Sequence, residues 1–251
     1  MVYFSILLFI TGAVFGSFFT VVGSRIPLKK SIIKPRSHCE NCNHYLKWYE
    51  LIPIISYLIQ KGRCSVCKTK ISLIYPLIEI LCGTLFLISF LIFGISYEFL
   101  ISLIISSLLI IIFVSDFQYL YILDSPIVIG SLLVLVIKYF NNGTRSVLMS
   151  ILCGILMFLL MLMIKIIGDK LFKRESLGGG DIKLSIFMGI VLGARLTLVS
   201  FIVSSFTALP FALIYTKIKK DAEVPFGPFL MIGTMFCFIF GDCIIKILEF
   251  I

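Results

Sequence analysis

The sequence predicts an all-α polytopic membrane protein of about eight transmembrane helices, with a small cytoplasmic zinc-binding loop domain after the first. Three observations predict it. Hydrophobic residues fill 60% of the 251 positions and charged residues only 14%, well above the roughly 45–50% apolar share of soluble domains. Several apolar runs reach the roughly 20 residues that cross a bilayer. The remaining charge is bunched between those runs rather than spread through them. A soluble fold is thereby excluded. The net charge of +9, from 22 Lys and Arg against 13 Asp and Glu, reads as an orientation signal rather than a nucleic-acid footprint.

The first apolar run, residues 2–22, has no positive region ahead of it, and its basic residues begin only at Arg25. It is expected to be a retained first helix with its N-terminus outside, not a secretory signal. The longest polar stretch follows, residues 23–76. It holds Arg25, Lys29, Lys30, Lys34, Arg36, Lys47, Lys61, Arg63, Lys68 and Lys70, a concentration that places it in the cytoplasm. Seven more apolar segments complete the chain, at residues 77–93, 99–115, 126–139, 146–167, 184–193, 196–215 and 229–247. Both termini then lie outside. Lys170, Lys173, Arg174, Lys183, Lys217, Lys219 and Lys220 fall on the cytoplasmic side, and only Lys138, Arg145, Arg195 and Lys246 on the other. Segment 126–139 is short and is open to an earlier start near Asp124. Segments 184–193 and 196–215 read as a tight hairpin or as one span with a re-entrant piece. No internal repeat is evident. The division expected is a first helix (1–22), a four-cysteine loop domain (23–76) and a transmembrane domain (77–251).

Four of the eight cysteines lie in the polar loop, as the pairs Cys39/Cys42 and Cys64/Cys67. Two C-x2-C pairs offer four thiolates at tetrahedral spacing, which favours a closed zinc site. Two disulfides are the alternative, and a reducing compartment disfavours them. Such a metal would staple a loop too small for a core of its own. His38 and His44 flank the first pair as substitute ligands, unnecessary beside four cysteines. Cys82, Cys153, Cys237 and Cys243 lie in apolar runs, as small core residues.

Carboxylates at the edge of hydrocarbon are functional candidates by default. Asp116 closes the run Ile111-Ile112-Phe113-Val114-Ser115, Asp124 comes eight residues later, and Asp181 closes Gly178-Gly179-Gly180-Asp181. Asp181 alone would read as a helix cap. Three consecutive glycines instead mark backbone that turns sharply or is closely approached. Asp116 and Asp181 on one side suggest two carboxylates sharing a proton, one acting as general base on water while the other donates.

Together these residues resemble the bacterial type IV prepilin peptidases, membrane aspartyl proteases that are often also N-methyltransferases. The resemblance covers nearly the whole chain. It is carried by Gly16-Ser17-Phe18-Phe19-Thr20-Val21-Val22, Arg25-Ile26-Pro27, the cysteine pairs, Trp48-Tyr49-Glu50-Leu51-Ile52-Pro53, Ile71-Ser72 and Tyr75-Pro76-Leu77-Ile78-Glu79. Farther on it includes Asp116 to Asp124, the Gly178–Asp181 motif and Pro225-Phe226-Gly227-Pro228-Phe229. Thr20 stands where the family has Asn, and Leu123-Asp124 where it has Pro-Asp. The resemblance implies that Asp116 and Asp181 are catalytic and that Asp124 and the glycines Gly178, Gly179 and Gly180 support them. It implies removal of a basic leader from prepilin or pseudopilin precursors at the cytoplasmic face of a bacterial inner membrane. It also implies methylation of the new N-terminus with S-adenosylmethionine, although no Gly-rich dinucleotide loop marks where that donor would sit. Pilus assembly, secretion and DNA uptake are equally open as pathways.

Two rival classes are a metal or proton transporter and a zinc-stapled scaffold without catalysis. A transporter should carry acids in the middle of several spans, whereas here they crowd one face. The midspan Ser and Thr are expected to bond their own helix backbone. A scaffold leaves the Gly-Gly-Gly-Asp sequence unexplained.

Overall fold

The computed structural model describes residues 2–173, 175–218 and 223–250; Arg174, Lys219 and Lys220, counted above as cytoplasmic charge, lie outside the described residues. The elements are α1 (Val2–Arg25), a 3-10 turn (Trp48–Leu51), α2 (Ile55–Ile59), α3 (Ile74–Phe93), α4 (Tyr97–Tyr119), α5 (Asp124–Phe172), α6 (Gly179–Ile218), α7 (Gly227–Ile239) and α8 (Gly241–Phe250). Among the described residues the only β-type pairings are two isolated bridges, His38 with Tyr45 and Arg63 with Lys70. The chain divides into two compact units, Met1–Gly94 and Ile95–Ile251.

In the first unit α1 packs along α3, with Phe4 against Phe90 (ring centroids 4.9 Å apart) and Phe15 against Phe86 (6.2 Å). The polar loop between these helices carries the cysteines. In the second unit α4 ends at Tyr119, where Leu120 takes a left-handed conformation and returns its N–H to the Asp116 carbonyl. Residues 120–123 then lead directly into α5.

Among the described residues five helices are long and apolar enough to cross a membrane, or six if the bent pair α7 and α8 is one span. Two of the five are too long for a single crossing. At 1.5 Å per residue, α5 would extend about 74 Å and α6 about 60 Å, against a hydrocarbon core of about 30 Å. Each is interrupted by a glycine with non-helical backbone, Gly143 (φ 72°, ψ −173°) and Gly193 (φ 74°, ψ 173°). Side-chain-bearing residues rarely adopt that conformation, so glycine is what permits both breaks. Segments 126–139 and 146–167 of the sequence reading are the two arms of α5, and 184–193 and 196–215 those of α6. The first arm of α5 does begin at Asp124, because an acid in the first turn complements the helix dipole and Pro126 lacks only an N–H that would be unpaired there.

The last expected segment, 229–247, is not one helix. It breaks between α7 and α8 with a bend of 78°. Asp242, Lys246 and Glu249 recur at helical spacing on α8, a polar stripe that a straight transmembrane helix would have to bury.

Most midspan hydroxyls bond their own helix: Ser102 donates to the Phe99 carbonyl, Ser106 to Ser102, Ser204 to Ser200 and Thr234 to Leu230. Lys138 behaves differently from an outward-facing loop cation. Its Nζ donates to the Ile190 carbonyl (2.7 Å), the Val191 carbonyl (3.1 Å) and Ser150 Oγ (3.0 Å). It thus caps the first arm of α6 just before Gly193, where carbonyls lack intrahelical partners. Lys138→Met fills the space but leaves those carbonyls unpaired, at about 1–3 kcal/mol for a buried polar group left without its partner. The expected result is a lower midpoint of thermal unfolding in detergent; an unchanged midpoint would show that the lysine does not hold the break together.

Candidate active site and metal centre

Asp116 is placed by the last turn of α4 and Asp181 by the first turn of α6. They are 65 positions apart in sequence, yet both are buried, at 5% and 8% exposure, and near enough to interact electrostatically. Asp116 Oδ2 accepts the Gly227 N–H at 3.0 Å, at the start of α7. The Gly178 N–H bonds Asp181, while Asp181 Oδ1 is buried without a hydrogen-bond partner among the described residues. One oxygen of the pair is therefore anchored by a backbone N–H, and another has no hydrogen-bond partner among the described residues.

Two glycines let these elements close on one another. A Cβ at Gly180 would lie 2.7 Å from Ile122 Cβ, and one at Gly227 would lie 2.8 Å from Ile122 Cδ1 and 3.0 Å from Asp116 Oδ2. Buried Ile122, in the short link between α4 and α5, is the wedge against which both glycines pack. Of the three expected glycines, Gly178 touches Asp181, Gly180 touches Ile122, and nothing stands within 4 Å of a Cβ at Gly179. Asp124 does not join the pair. It opens α5 and forms a half-exposed ion pair with Lys183 of α6 (2.8 Å), tying the two helix starts together two residues from Asp181. Gly227, Ile122 and Lys183 are partners that sequence reasoning did not assign; of these only Gly227 left a signal, inside Pro225-Phe226-Gly227-Pro228.

The four loop cysteines converge in the first unit. Their sulfurs all lie within 4.8 Å of one another, with Cys39 to Cys67 at 3.7 Å and Cys42 to Cys64 at 3.9 Å. A tetrahedron with zinc–sulfur bonds of 2.3 Å has edges of about 3.8 Å, so the residues present fit zinc, held by all four with no open position. All eight cysteines are free thiols, and the tetrad is grouped as four rather than as two bonded pairs.

The two halves of the cluster repeat each other 25 positions apart, a correspondence not evident in the sequence. The Cys39 N–H donates to the His44 carbonyl and the Asn43 N–H to the Cys39 carbonyl; the Cys64 N–H donates to Thr69 and the Lys68 N–H to Cys64. Asn43 and Lys68 both take positive φ, at 55° and 60°. Thr69, by its hydroxyl and then its backbone N–H, together with the Asn41 amide, holds the Cys67 thiol down to about 5.

Neither histidine turns to the sulfurs. His38 Nδ1 meets the Arg36 carbonyl and His44 Nε2 meets Glu50. Glu50, buried at 6% exposure, also accepts from the Lys47 N–H and from Ser65, which lies between Cys64 and Cys67. Burial alone would raise its carboxyl, but these donors outweigh it and hold it below the usual carboxylate range. Glu50 thereby joins both halves of the cluster, a role no spacing in the sequence announced.

Residues 10–93 match the model of the bacterial peptidase A24 N-terminal domain, and residues 103–213 that of the type IV leader peptidase family. A prepilin leader peptidase/N-methyltransferase of Bacillus subtilis is 35% identical over 96% of this chain and 96% of its own. The chain belongs to the type IV leader peptidase family. A relative of the same name from Vibrio cholerae is 30% identical over 95% of this chain and 98% of its own. Another from Myxococcus xanthus is 38% identical over 76% of this chain and 57% of its own. No solved structure matches the chain. Within the leader peptidase family match fall Asp116, Asp124 and Asp181, and within the N-terminal domain match all four clustered cysteines.

Proposed function

We propose that the chain is a multi-pass inner-membrane aspartyl endopeptidase that removes the leader of prepilin-like precursors at the cytoplasmic face and methylates the new N-terminus. The observation that carries the peptidase half is the buried pair Asp116 and Asp181 on separate helices, with Asp181 Oδ1 unpaired among the described residues. Two close carboxylates hold one proton between them. One takes a proton from water as it attacks the scissile carbonyl while the other gives its proton to the carbonyl oxygen; on collapse of the tetrahedral intermediate the first passes its proton to the leaving amine and the second takes one back from an intermediate hydroxyl. Asp124 with Lys183 and the Ile122 wedge hold the helix starts in register for this.

Counting the arms of α5 and α6 separated by Gly143 and Gly193 as separate passes supports a reading of eight passes, and the Lys and Arg of residues 23–76 support placing both termini outside. Zinc, held by Cys39, Cys42, Cys64 and Cys67, is structural. S-adenosylmethionine, when bound, supplies the methyl group; the chemistry suited to a cationic donor or to an amine is a buried carboxylate, and Glu79 in the first unit provides one.

Coexpression with a prepilin followed by mass measurement of its N-terminus tests both halves. The expected species lacks its leader and carries one added methyl. An uncleaved precursor overturns the peptidase reading, and a cleaved, unmethylated one the methyltransferase reading alone.

A further inference from the structure

Among the described residues four carboxylates are buried: Glu50, Glu79, Asp116 and Asp181. Asp116 and Asp181 are taken up by peptide cleavage, and Glu50 is consumed by His44, Lys47 and Ser65. Glu79 remains. It lies on α3 at 8% exposure, and it takes part in none of the three ion pairs among the described residues. Its partners are neutral: the Ile54 N–H at 2.7 Å and the Ser17 hydroxyl. A buried carboxylate with no cation is costly to keep.

The chain also strains its backbone beside this group. Ile54 has φ 64° and ψ −53°, and the Ile55 N–H donates back to the Pro53 carbonyl across it. That is a γ-turn centred on a β-branched residue, a conformation of high local cost that persists only where the surroundings enforce it. Its effect is to aim the Ile54 N–H at Glu79 and fix one carboxylate oxygen.

An N-methyltransferase needs a group of this kind. A primary amine is protonated near neutral pH and has no lone pair to give until a base takes the proton. We propose that Glu79 receives the free α-ammonium of the cleaved substrate, holds it by a charge-assisted hydrogen bond and takes its proton. The ammonium R–NH3+ and the Glu79 carboxylate become R–NH2 and the carboxylic acid. The nitrogen lone pair then forms the bond to the methyl carbon as that carbon's bond to the sulfonium sulfur breaks, its electron pair staying on sulfur as a thioether. This inference rests on the methyltransferase half of the function proposed above.

The test compares full-length wild type with Glu79→Gln, whose amide oxygen still accepts the Ile54 N–H and so keeps the turn. Binding is measured for a mature N-terminal peptide with a free amine and for its N-acetylated form. Wild type should prefer the free amine by about 10-fold, the scale of one charge-assisted hydrogen bond, and Glu79→Gln should lose that preference. Methyl transfer should fall by about 100-fold, as for loss of a general base, with leader cleavage and metal content unchanged. A retained amine preference, or methylation at the wild-type rate, overturns the proposal. So does joint loss of metal, cleavage and methylation, which would make Glu79 a structural anchor; Glu79→Asp, which keeps the charge, should then fail equally. If Glu79→Gln instead loses its preference for S-adenosylmethionine over the uncharged thioether product while still favouring the free amine, the carboxylate serves the methyl donor and the proposal falls. Should wild type cleave without methylating, the methyltransferase reading fails, and the amine preference still decides the role of Glu79.

Discussion

Asn at either Asp116 or Asp181 is expected to reduce leader removal by about 1,000-fold or more, the scale of losing a general acid or base. The amide keeps the size of the side chain and can still accept the Gly227 N–H at position 116, so the helices should stay in place. What it cannot do is exchange a proton with water and product. Because the pair works as one unit on the proposed mechanism, the double variant should be hardly slower than either single one. Asp124→Asn should be far milder, since it loosens a half-exposed ion pair with Lys183, and such pairs contribute about 0–1 kcal/mol. The measurement is the rate of leader release from a purified precursor. Ready cleavage by the Asp181→Asn protein would reduce that residue to a helix cap.

Replacing Cys42 and Cys67 together by Ser should take zinc from about one per chain to near none, because a site left with two thiolates no longer closes. Metal content by mass spectrometry of the purified protein checks this directly. The loop has no hydrophobic core to fall back on, so residues 26–73 should become open to limited proteolysis. Leader cleavage should persist at least in part, since both aspartates belong to the other compact unit. Full metal content in the double variant would remove the zinc site.

The helical class and the cysteine cluster were legible because each rests on local pattern: apolar runs of bilayer length, and pairs spaced to grip one ion. The helix breaks were less so. Gly143 sits in Asn141-Asn142-Gly143, a polar interruption that the sequence shows, whereas Gly193 is separated from the next apolar run by little more than Arg195. The bend before α8 was missed because hydropathy averages over Asp242, Lys246 and Glu249 without noticing that they share a face. In the cluster, the two halves share only their cysteines, so the 25-position repeat lives in hydrogen bonds rather than in residue identity. Asp116 and Asp181 were legible as acids at the edge of apolar runs. Their neighbours were less so: Ile122 acts through shape, which leaves no chemical signature in the sequence, and Gly227 through a backbone N–H, so that Pro225-Phe226-Gly227-Pro228 marks the position without its partner.

The bond from Gly227 to Asp116 spans 111 positions, and on the proposed mechanism this sets when the protein acquires its activity during biosynthesis. At roughly 5–20 residues per second, a nascent chain carries Asp116 for several seconds, and Asp181 for the later part of that time, before the residue that fixes the first carboxylate has been made. Until α7 docks, both acids are present but Asp116 lacks its backbone donor. On the proposed mechanism, a hydrolase that shares its membrane with unfinished copies of itself and with other newly inserted proteins is thus switched on by its own completion.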